Sequence, residues 1–209
     1  MMKKYKKTLI ITSILILVPM LVGLILWKRL PDTMATHFGS DNEPNGWSSK
    51  ITVVFGMPLI MLALHWICLA ATMNDPKKKN ISGKMFRIIL WIVPATTILT
   101  LTLTYLNALG IQVDIGMFVN LLMGVLFIII GNYLPKCKQN YTAGFRIPWT
   151  LSSEENWNKT HRLAGWLCLI GGILFLLNAF WLSEVMLIVI MGLVFIPVIY
   201  SFVLYKKGV

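Results

Sequence analysis

Three histidines and eight carboxylates hold whatever acid–base or metal chemistry this 209-residue chain could perform. His37 stands with Asp41 and Glu43 in the stretch LPDTMATHFGSDNEPNGWSSK, and His161 follows Glu155 by six residues in SSEENWNKTHR. A coordinating site draws on three or four ligands at recognisable spacing, and the His37 group matches no such spacing. Glu155 and His161 fall on different faces of a helix, a poor arrangement for an acid–base pair. No nucleophile accompanies them. His65 lies in an apolar run beside Trp66 and Cys68, where an ionisable side chain is a functional candidate by default. A neutral imidazole bonded to another helix is the expected state there. Cys68 and Cys168 sit in apolar runs and Cys137 in a polar one, a spacing of neither a metal site nor a disulfide framework. No catalytic residue, metal or cofactor is expected.

The elements that position these residues are read from hydropathy. Apolar residues make up 57% of the chain, charged ones 13%, and the mean hydropathy is +0.74. Soluble domains carry about a quarter charged residues, so this surface faces lipid. Six apolar runs reach spanning length: 8–27, 51–73, 88–109, 115–134, 163–182 and 185–205. About 20 residues of helix cross a bilayer core, and a helix satisfies its own backbone there. The basic N-terminus, MMKKYKK, leads into a run long enough to be a retained first helix rather than a cleaved signal.

Basic residues concentrate on one face of such a bundle: Lys3, Lys4, Lys6, Lys7, Lys77, Lys78, Lys79, Lys84, Arg87, Lys136, Lys138, Arg146, Lys159, Arg162, Lys206 and Lys207. The other face has Lys28, Arg29 and Lys50 with Asp32, Asp41, Glu43, Asp114 and Glu184. The positive-inside rule then places both termini in the cytoplasm. The expected fold is an all-α integral membrane protein of six transmembrane helices, N-in and C-in. It would have one ordered extracellular loop and one ordered cytoplasmic loop. Residues 1–73 form a two-helix unit with the first loop, 74–87 a basic linker, and 88–209 a four-helix unit. The net charge of +11 serves topology and contact with anionic lipid, with no direct nucleic-acid role.

In the first loop, residues 39–46 carry turn chemistry. Asn42, Asn45 and Gly46 can take positive φ cheaply. Trp47 suits the membrane interface and Lys50 can snorkel. The loop is a cap over the outer helix ends and a recognition surface, with His37, Phe38, Asp41, Glu43, Asn45, Gly46, Trp47 and Lys50 as candidates. In the cytoplasmic segment, Ser152 and Glu155 fit a capping box, followed by a helix that runs unbroken into the fifth span. Trp157, His161 and Ala164 share one face of it. Pro148 stiffens the approach, Gly144 frees the backbone, and Arg146 can pair with Glu154, Glu155, a phosphate or a partner carboxylate. Trp149 is an interfacial anchor. A docking surface is expected from Asn140, Gly144, Arg146, Pro148, Trp149, Thr150, Trp157, Thr160, His161 and Arg162. Within the spans, Thr97, Thr100, Thr104, Asn120 and Asn178 read as interhelical hydrogen-bonding groups, and Ala164, Cys168 and Gly172 as a small-residue packing stripe. The spans carry no chain of acids and no inverted repeat, which weakens a transporter reading.

Two segments carry a family resemblance. LPDTMATHFGSDNEPNGWSSK resembles an N-terminal domain of unknown function with the pattern LP…HF…G..DGW.SK. GNYLPKCKQNYTAGFRIPWTLSSEENWNKTHRLAGW closely resembles the SdpI family signature GN…GiRtPWTL…W..THR..G. The departures are Ile147 in place of Thr, and Asn42 and Asn45 in place of Gly and Asp. The resemblance implies a multi-pass protein of the bacterial cytoplasmic membrane that confers immunity to a peptide toxin met on the extracellular side. It also implies a receptor that draws a small winged-helix repressor to the membrane. A membrane-embedded enzyme using the His, Glu and Asp of the loops, or a small peptide exporter, are the alternatives.

Overall fold

The computed structural model describes residues 2–39, 41–181 and 186–209. Residues 182 and 185, used above as span ends, and Glu184 lie outside them. The chain forms helix α1 (Met2–Ile25), strands β1 (Thr33–Phe38) and β2 (Pro44–Ser49), a π-helical turn (Thr52–Gly56) leading into α2 (Met57–Met73), then α3 (Gly83–Ala108) and α4 (Ile115–Tyr133). A short α5 (Pro148–Ser152) precedes α6 (Glu154–Asn178) and α7 (Met186–Lys206). Among the described residues six helices are long and apolar enough to cross a membrane, so the chain is a multi-pass helical membrane protein. The expected fifth span begins nine residues early as a helix, since α6 carries its polar first turns to Glu154. Pro58 follows directly on the π turn, so its missing N–H falls within a continuous helical run, beside the irregularity.

The chain divides into two compact units. The first comprises Met1–Ala70 and Arg87–Ile115. Its core packs Leu30, Met34, Val53, Val54, Leu101 and Tyr105. Gly23 of α1 leaves room for Tyr105, whose hydroxyl donates to the Pro19 carbonyl at 2.9 Å; a Cβ at 23 would stand 2.7 Å from that hydroxyl. His65 is buried, with Nε2 3.1 Å from the Thr12 hydroxyl of α1. The threonines of α3 depart from expectation. Thr97, Thr100 and Thr104 each donate to a backbone carbonyl one turn back in their own helix, at 2.7, 2.8 and 3.0 Å. In a helix that local acceptor is always in reach of a threonine hydroxyl, so the bonds that these three donate are local ones.

The ordered first loop is built as a β-hairpin, an element that the turn chemistry of 39–46 left unread. β1 and β2 pair antiparallel from Thr33↔Ser49 to Phe38↔Pro44, with irregular register on both sides of His37. The β-branched and aromatic residues of TMATHF favour a pleated strand. Of the three turn residues expected at positive φ, only Asn42 adopts it, at 63°. Its Oδ1 accepts from the Ile115 N–H at 3.0 Å, capping the first turn of α4, and its amide donates to the Val113 carbonyl at 3.4 Å. Asn42→Ala should therefore cost about 1–2 kcal/mol of stability, from the left-handed backbone and the lost cap. Asn42→Gly keeps the backbone and loses the cap, so thermal unfolding in detergent should place it between wild type and alanine.

The second unit comprises Ala71–Phe86 and Gly116–Val209. Here α4 and α6 run antiparallel and meet backbone to backbone at two glycine pairs. A Cβ on Gly131 would stand 2.7 Å from the Gly165 carbonyl oxygen, and one on Gly172 would stand 2.8 Å from that of Gly124. Asn178 Nδ2 donates to Asn120 Oδ1 between the same helices at 3.0 Å. The expected small-residue stripe is shifted: Gly172 belongs to the close contact, with Gly165, while Ala164 and Cys168 pack against Leu134. Close approach needs no side chain at the contact atoms, and only the glycines meet that requirement.

Candidate functional site

The polar segment from Cys137 to Arg162 is held by a buried hydrogen-bond network whose centre is His161. Its Nε2 accepts from the Phe145 N–H at 3.0 Å, and its Nδ1 donates to the Trp157 carbonyl at 2.8 Å. An imidazole that accepts at one nitrogen and donates at the other is neutral, with its proton on Nδ1. Both nitrogens are occupied and the ring is buried, so His161 offers no base to a substrate. Trp157 stacks on it with ring centroids 3.9 Å apart, and the indole N–H donates to the Cys137 carbonyl at 2.7 Å. Gly144 passes over the imidazole at φ +110°, and a Cβ there would collide with His161 Nε2.

Around this centre each turn has its own fastening. Asn140 closes an Asx turn, its Oδ1 accepting from the N–H groups of Thr142 and Ala143 at 2.9 and 2.7 Å. Thr150 accepts from the Ile147 N–H at 3.1 Å and donates to the Phe145 carbonyl at 2.6 Å, which fixes the start of α5. Gln139 donates to the carbonyls of Thr150 and Leu151 at 2.8 and 2.9 Å and accepts from Lys77. Asp75 accepts from the Tyr141 N–H at 2.8 Å and the Thr142 hydroxyl at 2.6 Å. The 74–82 loop is thereby tied to the segment. On the far side, Asn156 accepts from Ser201 of α7 at 2.7 Å and donates to the Ser201 carbonyl at 3.0 Å. Burial pushes the Cys137 thiol up, opposed by the Asn140 amide bonded to its sulfur, which keeps it a protonated filler rather than a nucleophile.

Several residues fall elsewhere than expected. The N-cap of α6 is Ser153, whose hydroxyl accepts from the Asn156 N–H at 3.2 Å; Ser152 ends α5, so the Ser152–Glu155 capping box does not form. Glu154 and Glu155 still occupy the first turn, where the helix dipole favours them. Glu155 pairs with Lys159 at 2.7 Å, and Arg146 donates to the Tyr141 carbonyl at 2.7 Å. Of the expected docking residues, Asn140, Thr150, Trp157, Thr160 and His161 are buried and form the frame. Gly144, Arg146, Pro148 and Arg162 are exposed, and half-buried Trp149 packs against Phe202 and Tyr205 of α7. Asp75, Gln139, Asn156 and Ser201 were missed. Their signal was a polar residue without an evident solvent face, which becomes meaningful only once its partner is known.

In the hairpin, His37 Nδ1 bonds Asn45 Oδ1 rather than joining Asp41 and Glu43. Asp41 turns to the Glu43 N–H at 3.1 Å. Among the described residues no group of three His, Cys, Asp or Glu side chains comes together. Gly46 lies under His37, and a Cβ on it would stand 2.9 Å from that of His37. Phe38 is half-buried, while His37, Asp41, Glu43, Asn45 and Trp47 are exposed. Lys50 does not reach outward: it pairs with Asp32 at 3.1 Å and lies over the Trp27 ring.

Comparison with known proteins follows the same two segments. Residues 136–205 match the SdpI/YfhL protein family, and residues 14–62 match a domain of unknown function, DUF1648. The chain is 27% identical over 196 residues to Immunity protein SdpI of Bacillus subtilis (strain 168), covering 92% of this chain and 91% of that one. No solved structure matches the chain. The fastened 137–162 segment lies inside the region matched by the SdpI/YfhL family model, and the chain is similar to the immunity protein nearly end to end.

Proposed function

We propose that the chain is a membrane immunity protein that protects its cell from a peptide toxin stoichiometrically, without catalysis. The observation that carries this is the alignment with an immunity protein over 92% of the chain. On the orientation expected from the basic residues, the hairpin faces outward and the 137–162 segment faces the cytoplasm. The outward rim of His37, Asp41, Glu43, Asn45 and Trp47 is then the toxin surface. Trp47 is 60% exposed, a large amphipathic ring of the kind that anchors interfaces. The occupied His161 and the Glu155–Lys159 pair count against the enzyme alternative.

Expression in a bacterium killed by secreted peptide toxins should raise the lethal dose of at least one of them. Trp47→Ala should lose about tenfold in toxin affinity at an unchanged membrane level. No protection against a broad panel of such peptides would sink the reading. A second reading, capture of a small winged-helix repressor, is favoured by the exposed Arg146, Pro148 and Arg162 on a rigid frame. Toxin binding would shift the bundle toward the state that displays this surface. Retention of such a repressor by the solubilised chain, lost in Arg146→Ala, would support it; equal retention by both would count against this surface.

A further inference from the structure

A cavity of about 530 Å³ opens between the end of α4 and the first half of α6. Its polar lining is Asn132, Lys136, Asn158 and Arg162, and Trp166 and Leu169 form its apolar wall. Gly131 and Gly165 floor it without side chains. Two cations and no carboxylate line it among the described residues. Among the described residues neither cation is held in a salt bridge. Lys136 Nζ is steadied by Asn132 Oδ1 at 3.1 Å and lies over the Tyr133 ring.

The position of the two charges is informative. Lys136 is the first charged residue after the uncharged run that begins at Ile115, and Arg162 is the last before the uncharged run that ends at Asn178. Both therefore stand where hydrocarbon gives way to headgroups. Below them α6 presents Trp166, Ile170, Ile173 and Leu177, 62%, 54%, 52% and 49% exposed. That is an apolar stripe at helical spacing leading away from the cations. A soluble anion would leave the stripe unused, whereas a lipid would use both ends.

We infer that this cavity seats the phosphate of an anionic membrane lipid, held by the Arg162 fork and the Lys136 ammonium, with its acyl chains lying along Trp166 and Ile170. The guanidinium can take two phosphate oxygens at once and lysine adds a point charge. Asn132 and Asn158 offer further donors to the headgroup. The inference is independent of the toxin reading.

Native mass spectrometry of the full chain in detergent tests it, with phosphatidylglycerol, phosphatidylcholine and inorganic phosphate as probes. Wild type should prefer phosphatidylglycerol to phosphatidylcholine by about tenfold, as two interfacial cations imply. K136Q/R162Q should lose that preference, and K136R/R162K and K207Q, which lies outside the lining, should keep it. If the double glutamine variant misfolds, the single variants carry the test, each losing part of the preference. Preference retained in every glutamine variant would overturn the assignment. Displacement of the lipid by inorganic phosphate alone would overturn it in favour of a soluble phosphate.

Discussion

Trp157→Ala should destabilise the second unit by about 3–5 kcal/mol, the range for emptying a buried aromatic site, and should abolish protection in the toxin assay. The indole is completely buried, stacked on His161, and is the donor to the Cys137 carbonyl. Its removal leaves a cavity, an imidazole without its stacking partner and a carbonyl without a donor. The wall of the fastened segment and the first turns of α6 would loosen together, because Trp157 also supplies the carbonyl to which His161 donates. Trp157→Phe separates the contributions. It keeps most of the ring and loses the N–H, so it should cost about 1–3 kcal/mol, the penalty of one unsatisfied buried polar group. Thermal unfolding in detergent, with protease cleavage between residues 137 and 153 as a local probe, reads both. An alanine variant as stable as wild type would show that the segment does not depend on this ring.

Gly144→Ala should cost about 3 kcal/mol or more, from backbone strain of about 1–3 kcal/mol and a broken hydrogen bond at His161. At φ +110° the position suits glycine alone, and the added methyl would displace the imidazole nitrogen that accepts from Phe145. The double variant Gly144→Ala/His161→Ala distinguishes the two sources. Removing the ring relieves the collision and leaves the strain, so the pair should be less than additive by about 1–2 kcal/mol. Strict additivity would mean that the methyl never meets the ring.

The spans were legible because hydropathy over 20 residues is a one-dimensional signal that lipid enforces. The start of α6 was legible to within one residue: SSEEN offers two serines, and either can cap. The choice fell to Ser153 because Asn156, rather than Glu155, must sit three residues on and turn inward to Ser201. That constraint comes from a partner 45 residues away in the chain, which no local pattern carries. Asp75 and Gln139 were illegible for the same reason. The hairpin was hidden by its own turn, whose Gly, Asp and Asn drew the reading while the short flanking strands, bulged at His37, lacked clean alternation. The docking set combined two kinds of residue that sequence cannot separate. Asn140, Thr150 and His161 bind the segment to itself, and Arg146 and Pro148 are exposed on its surface.

The glycine contacts of α4 and α6 set a dimension as well as a stability. At Gly131 and Gly165 each backbone rests against the other's carbonyl, so no neighbouring side chain can shrink to compensate for a methyl. The helices would have to part bodily. Because these same two glycines floor the cavity that carries Lys136 and Arg162, the gauge between the two cations is cut by main-chain atoms. The width of this cleft is inherited from a backbone contact, and substitutions among its lining residues other than these glycines would alter its chemistry while leaving its calibre unchanged.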